Sequence, residues 1–308
     1  MPASAKPSVG FIGIGLMGYG MARNILAAGY DLTFQAHRNR KPAEDLLAAG
    51  AAEANTARAV AERSDIVHLC LPGSPEVEAI IRGPDGILAS GRSGLIIVDC
   101  STSDPVSTRA LAAELGAAGM AMADAPLSRT PKEALEGTLD TMVGASPETF
   151  SSIEPVLRTW AKVIVHLGPV GTGHTMKLVN NFIAMGYAAL YSEALAIARR
   201  NGLAPQQVDA VIGAGRLRNG FYDTFMRWTL AGDPDAHRFT IRNAHKDMRY
   251  LASLVSASGS VAPISAHLRN LFAAMEASGE ADRFVPMTAD FVARQNGLPP
   301  NQNSPEDS

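Results

Sequence analysis

Four short stretches hold residues whose types and spacing could do chemistry. In GFIGIGLMG, Gly13, Gly15 and Gly18 follow the spacing Gly-x-Gly-x-x-Gly, directly after an apolar run and at the start of a helical pattern. Between a strand and a helix, the first glycine permits a tight turn and the second lets the backbone approach a pyrophosphate. The third lets helix and strand pack closely, and the helix N-terminus supplies partial positive charge. Gly13, Gly15, Leu16, Met17 and Gly18 are therefore expected to bind a dinucleotide. Some way past the glycines an NAD-binding chain usually carries an acid for the ribose 2′-hydroxyl. Here the segment FQAHRNRKP has no acid but holds Arg38, Arg40 and Lys41. A 2′-phosphate uses such charge, so NADP is expected, with Arg38 as its ligand and NAD still possible; the other reading is a solvated basic loop.

The third stretch is DAPLSRT (124–130), where Arg129 sits between the hydroxyls of Ser128 and Thr130. It is either surface decoration or part of an anion-binding site. The fourth is MKLVNN (176–181), where Lys177 and Asn181 are four apart and share one helix face. An ammonium and a carboxamide so placed can reach a small polar substrate in an interdomain cleft, although a solvated face has the same spacing.

These residues need elements to position them. Apolar runs at 8–14, 31–36, 65–72, 94–101, 121–127 and 140–145 read as strands, with helices between most of them, and 162–168 can close the sheet. Strands alternating with helices predict an α/β fold, an N-terminal Rossmann-type, doubly wound parallel sheet. After GPVGTG (168–173) only helical patterns occur, beginning with a long proline-free one from His174 to about Arg200. The expected organisation is a dinucleotide-binding domain over 1–170, an all-helical substrate and dimerisation domain over 171–295, and a disordered polar tail over 296–308. The long helix is apolar almost all round, which suggests burial in a core or against a partner chain.

Composition narrows the function classes. With 308 residues, 46% hydrophobic and 19% charged, the chain suits a soluble two-domain protein. A formal net charge of −3 gives no case for nucleic acid or an anionic membrane as a partner. Cys70 and Cys100 each lie in an apolar run and read as core residues of a reducing compartment, and no Cys/His cluster has metal-ligand spacing. No signal peptide or spanning segment is read, so the expected setting is cytoplasmic.

Taken together, GFIGIGLMGYGMARNI, DAPLSRTPKEALEGTLDTMVG, GTGHTMKLVNN and HKDM resemble the β-hydroxyacid dehydrogenase family over residues 8 to about 295. That family includes 3-hydroxyisobutyrate dehydrogenases, glyoxylate/succinic semialdehyde reductases and 6-phosphogluconate dehydrogenase. The resemblance implies that Lys177 is the catalytic lysine, Asn181 a substrate-binding asparagine and Ser128 a ligand of the substrate carboxylate. It also implies that Lys246 of HKDM reaches the cofactor, and that Leu71, Pro72 and Thr102 flank the nicotinamide. The common family run DAPVSGG has two glycines where this chain has Arg129 and Thr130. A subgroup similar to sulfolactaldehyde reductase carries GRT there and uses its arginine for a sulfonate. Ser128 differs from that subgroup's glycine.

The reading that follows is an NADP(H)-dependent reductase or dehydrogenase acting on a small anionic 3-hydroxy acid or its semialdehyde. Lys177 serves as general acid and base, Asn181 orients the same oxygen, and Ser128, Arg129 and Thr130 hold the anionic end. No metal is required. Related enzymes are dimers or tetramers, so a homodimer or homotetramer is expected. Alternatives are an imine reductase on the same fold, a class lacking the lysine, and a catalytically silent NADP-binding protein.

Overall fold

The computed structural model describes residues 6–300. The chain divides into two compact units, the division falling after Lys177. The first unit begins with β1 (Val9–Ile12), α1 (Gly18–Ala27), β2 (Leu32–Gln35), α2 (Lys41–Ala48), β3 (Ala52–Glu53) and α3 (Ala57–Glu62). It continues through β4 (Ile66–Leu69), α4 (Ser74–Arg82), β5 (Ile96–Asp99), α5 (Pro105–Ala117) and β6 (Ala121–Asp124). These strands lie in the order β3-β2-β1-β4-β5-β6, every pair parallel. β1 and β4 are buried at every residue, as parallel strands covered on both faces must be. Alternation sends Phe11 to one core with Met21, Phe34 and Trp160, and Ile12 to the other with Val60, Leu69 and Ile97.

Beyond β6 the sheet departs from the all-parallel expectation. β7 (Leu127–Ser128), α6 (Pro131–Glu136), β8 (Leu139–Gly144), α7 (Pro147–Leu157) and β9 (Ala161–Gly168) complete the unit. β8 runs antiparallel to β6 and to β7, and β9 then pairs parallel with β8. The apolar run 121–127 is thus two strands. Pro126 lies between them, and the short α6 returns the chain so that Ser128 pairs with Asp140.

The second unit is helical. α8 (Thr172–Arg200) leads into it, followed by α9 (Pro205–Ile212), α10 (Gly220–Ala231), α11 (Ile241–Ser258), α12 (Pro263–Met275) and α13 (Thr288–Gln295). Local chemistry sets the starts: Asn219 and Thr240 accept N-cap hydrogen bonds, while α9 and α12 open on proline. Leu178, Met185, Phe225, Met248 and Phe272 fill its core. α8 buries Leu178, Met185 and Leu195 and leaves Ile183, Leu190 and Ile197 exposed. The expected boundary at 170/171 lies just before α8, whereas the division falls nearly two turns inside it. Of the tail expected to be disordered, residues 296–298 donate back into the last turn of α13 and Arg199 donates to the Pro299 carbonyl. Residues 301–308 lie outside the described residues. No helix among the described residues is long and apolar enough to cross a membrane.

Candidate active site

The three glycines behave differently, and the difference points to a ligand. A Cβ on Gly13, whose φ is +101°, would lie 2.2 Å from the Cys70 carbonyl oxygen. One on Gly18 would lie 2.0 Å from the Gly13 carbonyl oxygen. Gly15 has nothing within 4 Å of such a Cβ. The first and third glycines are therefore required by the fold, while the second leaves backbone open on the side a pyrophosphate would take. The loop leads into α1 at the place where strand order reverses between β1 and β4, the usual crevice for a dinucleotide. Gly13, Gly15, Gly18 and the exposed Leu16 fit such a group.

The loops after β4 and β5 are stitched together. The Leu71 N–H donates to the Ser101 hydroxyl oxygen at 3.0 Å, and the Asp104 N–H to the Ser74 hydroxyl oxygen at 2.7 Å. Leu71, Pro72 and Thr102 thereby lie together beyond the carboxyl ends of β4 and β5. After β2, Arg38 is exposed and has no ion-pair partner among the described residues. Arg40 instead makes a two-point contact with Glu53 at 2.6 and 2.8 Å. The guanidinium holds the Glu53 carboxyl below its ordinary value. Glu53 went unnoticed in the sequence because β3 is only two residues long, and pairing of Glu53 with Phe34 brings it beside the basic loop.

Arg129 has φ +86°, in the left-handed region, the one non-glycine residue among those described with positive φ. Its Nε donates to Asp140 at 2.7 Å, not to Glu133 or Glu136. The carboxylate beside it raises the guanidinium pKa further. The guanidinium is 44% exposed, and its Nη groups have no hydrogen-bond partner among the described residues. Thr130, expected at the substrate, is the N-cap of α6. Its side chain accepts from the Lys132 N–H and donates to Glu133, whose carboxylate also takes the Thr130 N–H at 3.0 Å. That capping box gives the Thr130 hydroxyl a structural job.

α8 carries Lys177, half-buried, and Asn181, buried, one turn apart on the same face. The Asn181 amide donates to the buried Asp247 carboxylate at 2.6 Å, so its nitrogen faces Asp247 and its oxygen faces the other way. Lys246 lies 3.5 Å from the same carboxylate and 5.5 Å from the centre of the Tyr250 ring. Asn181, Asp247 and Lys246 thus form one cluster of the second unit. The N-terminus of α8 is capped from β6: the Asp124 carboxylate accepts the Gly171 N–H at 2.6 Å and the His174 N–H at 2.7 Å. Burial pushes the Asp124 pKa up, opposed by His174 and those two N–H groups. Nothing in the spacing of the DAPLSRT run predicts this cap.

Comparison with known proteins bears on the family and the fold. Residues 8–168 match the NAD binding domain of 6-phosphogluconate dehydrogenase, and residues 171–286 the NAD-binding domain of NADP-dependent 3-hydroxyisobutyrate dehydrogenase. The chain is 34% identical over 273 residues to 2-(hydroxymethyl)glutarate dehydrogenase of Eubacterium barkeri, covering 88% of this chain and 90% of that protein. It is 35% identical over 207 residues to 2-hydroxy-3-oxopropionate reductase of Escherichia coli, covering 67% and 70%. The structure of Mycobacterium tuberculosis 3-hydroxyisobutyrate dehydrogenase with L-serine superposes with a TM-score of 0.83 at 26% identity, covering 94% of this chain and 99% of that one. The protein belongs to the β-hydroxyacid dehydrogenase family. Its class is accordingly NAD(P)-dependent hydroxyacid dehydrogenase.

Proposed function

We propose that the protein interconverts a small anionic 3-hydroxy acid and its semialdehyde, with NADP(H) preferred over NAD(H). The bound reduced cofactor supplies the hydride. Lys177 gives a proton to the alkoxide that forms at the former carbonyl oxygen and stabilises its charge, taking the proton back in the oxidative direction. Asn181 orients the same oxygen through its amide nitrogen, which gives one hydrogen to Asp247 and has a second to donate. Ser128 and Arg129 hold the anionic end. Arg38 takes the 2′-phosphate, and the Arg40–Glu53 pair leaves Arg38 and Lys41 as the charges for it. The relatives named above act, by their names, on small carboxylates, in keeping with this reading. The exposed apolar side chains of α8 suit a homo-oligomer.

The observation that carries the substrate class is Arg129. A left-handed backbone is cheap for glycine and strained for arginine, and such strain is kept where it serves a site. With Nε on Asp140, the planar Nη edge remains to grip a carboxylate, sulfonate or phosphonate. The test is Arg129→Gly, which removes the charge at a backbone conformation glycine adopts freely. kcat/KM is measured for an anionic aldehyde and a neutral one of equal size. A loss confined to the anionic substrate supports the reading, and equal losses on both reduce Arg129 to shaping its loop.

A further inference from the structure

Three fully buried polar residues meet in the first unit: Asp99 at the end of β5, Asp124 at the end of β6 and His174 in the first turn of α8. Partners that can only donate or only accept assign the hydrogens at both carboxylates and at Nε2. Asp99 accepts the Ser101 N–H at 2.9 Å and the Ser103 hydroxyl at 2.8 Å. Asp124 accepts the two N–H groups at the start of α8. His174 Nε2 lies 3.1 Å from the Ser101 carbonyl oxygen, which can only accept, so that nitrogen carries hydrogen. Nδ1 lies 2.8 Å from the Thr108 hydroxyl oxygen, whose single hydrogen also has the Asp104 carbonyl oxygen at 3.0 Å. The ring nitrogens stand 3.8 and 3.9 Å from the Asp99 and Asp124 carboxylates, whose oxygens already have donors. With every carboxylate oxygen accepting a hydrogen and Nε2 donating one, the cluster is a hydrogen-bond network.

Each arm of the network ends beside a proposed site position. Ser101 directly precedes Thr102, and its hydroxyl also accepts the Leu71 N–H. Asp124 opens the run that ends in Ser128, and His174 lies one helical turn before Lys177. An apolar side chain could fill the volume of a buried ring at no polar cost; what imidazole adds is direction.

We infer that His174 is a positioning residue: its Nε2–H, given to the Ser101 carbonyl, holds the loop carrying Thr102 in register with the helix turn carrying Lys177. This rests on the roles proposed above for Thr102 and Lys177. The ring acts through those two segments and not on substrate or cofactor directly.

The test separates the two ring nitrogens. In His174→Gln the carboxamide nitrogen reaches the Nε2 position and keeps the bond to Ser101. In His174→Asn it reaches only the Nδ1 position and loses that bond. Fluorescence of bound NADPH, read without substrate, reports the nicotinamide surroundings, and single-turnover hydride transfer to an anionic aldehyde reports the chemistry. The Gln variant should keep the wild-type emission and a rate within about threefold. The Asn variant should shift the emission and lose roughly ten- to a hundredfold in rate, with NADPH Kd within about threefold in both. Lowered melting temperatures with unchanged emission and rate would mean a merely structural role and overturn the proposal. The hydrogen on the His174 ring in the wild type, read from ring ¹H–¹⁵N couplings, keeps the inference open to refutation even if a variant does not fold. Nε2–H is expected, and a ring carrying hydrogen at Nδ1 alone, which cannot donate to Ser101, overturns the inference. Should the wild type reduce no anionic aldehyde, the functional reading fails, while emission and tautomer still judge His174.

Discussion

Acid should weaken the first unit through a single ring, that of His68. This histidine lies within β4, is fully buried, and stacks on Phe11 with ring centres 5.8 Å apart and planes 6° apart. The Trp160 ring meets it edge-on at 6.2 Å. Neither ring nitrogen has a hydrogen-bond partner among the described residues. Burial without a partner disfavours the charged form and pushes the His68 pKa from 6.5 down to about 3. The unfolded chain therefore takes up a proton near pH 6.5, while the folded chain does not until about pH 3. Between those values the unfolded state holds more protons, so stability falls as pH falls, by about 1.4 kcal/mol per unit. From pH 7 to pH 5 that amounts to about 2 kcal/mol from this ring alone. His68→Phe keeps the aromatic stack and abolishes the titration. Urea unfolding of both proteins at pH 7, 6 and 5 provides the assay, followed by Trp160 fluorescence in a Trp228→Phe background. Carboxylates that titrate in both proteins cancel in the difference. The variant should gain about 2 kcal/mol on the wild type over that range. Stabilities that fall in parallel would refute the argument, because they would mean His68 protonates as readily folded as unfolded.

Three further outcomes are expected. Arg38→Ala should weaken NADP(H) roughly ten- to a hundredfold and leave NAD(H) nearly unchanged, the scale of one lost hydrogen bond to a charged group. Glu53→Gln, by releasing Arg40, should strengthen NADP(H) binding; a wild type that prefers NAD(H) in kcat/KM would contradict both statements. Lys177→Ala should lower kcat by about 10²–10⁴-fold with cofactor Kd little changed, as stopped-flow hydride transfer and NADPH titration will show. Thr130→Ala should cost about 1 kcal/mol in stability through the lost cap of α6 and alter KM less than about twofold. A tenfold rise in KM for anionic substrates at unchanged melting temperature would return Thr130 to the substrate.

What was legible in the sequence was what neighbours along the chain decide. The apolar runs 8–14, 31–36, 65–72 and 94–101 each contain the strand found there, because an apolar run is a property of neighbouring residues. Gly13, Gly15 and Gly18 were legible for the same reason, their spacing being a property of one turn. β3 and β7 were not, since two residues carry no period and only pairing with β2 and β8 makes them strands. The partners that shape the site come from far along the chain: Glu53 for Arg40, Asp140 for Arg129, Asp247 for Asn181, and Asp99 and Asp124 for His174. Each was an ordinary acid until the fold brought it across. Arg129 was singled out for its charge, whereas its left-handed backbone, the stronger sign of function, is a property only the folded loop reveals.

The continuity of α8 restricts how this protein can vary. Lys177 ends the first unit and Asn181 lies one turn into the second, on a helix unbroken from Thr172 to Arg200. One residue inserted or deleted between them would turn everything downstream by about 100° and take Asn181 off the face of Lys177. Length changes should therefore be absent from this stretch among functional descendants while loops elsewhere gain and lose residues. Exchange of helical units between relatives should join the chain outside the segment from Lys177 to Asn181, so that ammonium and carboxamide are inherited as a single block.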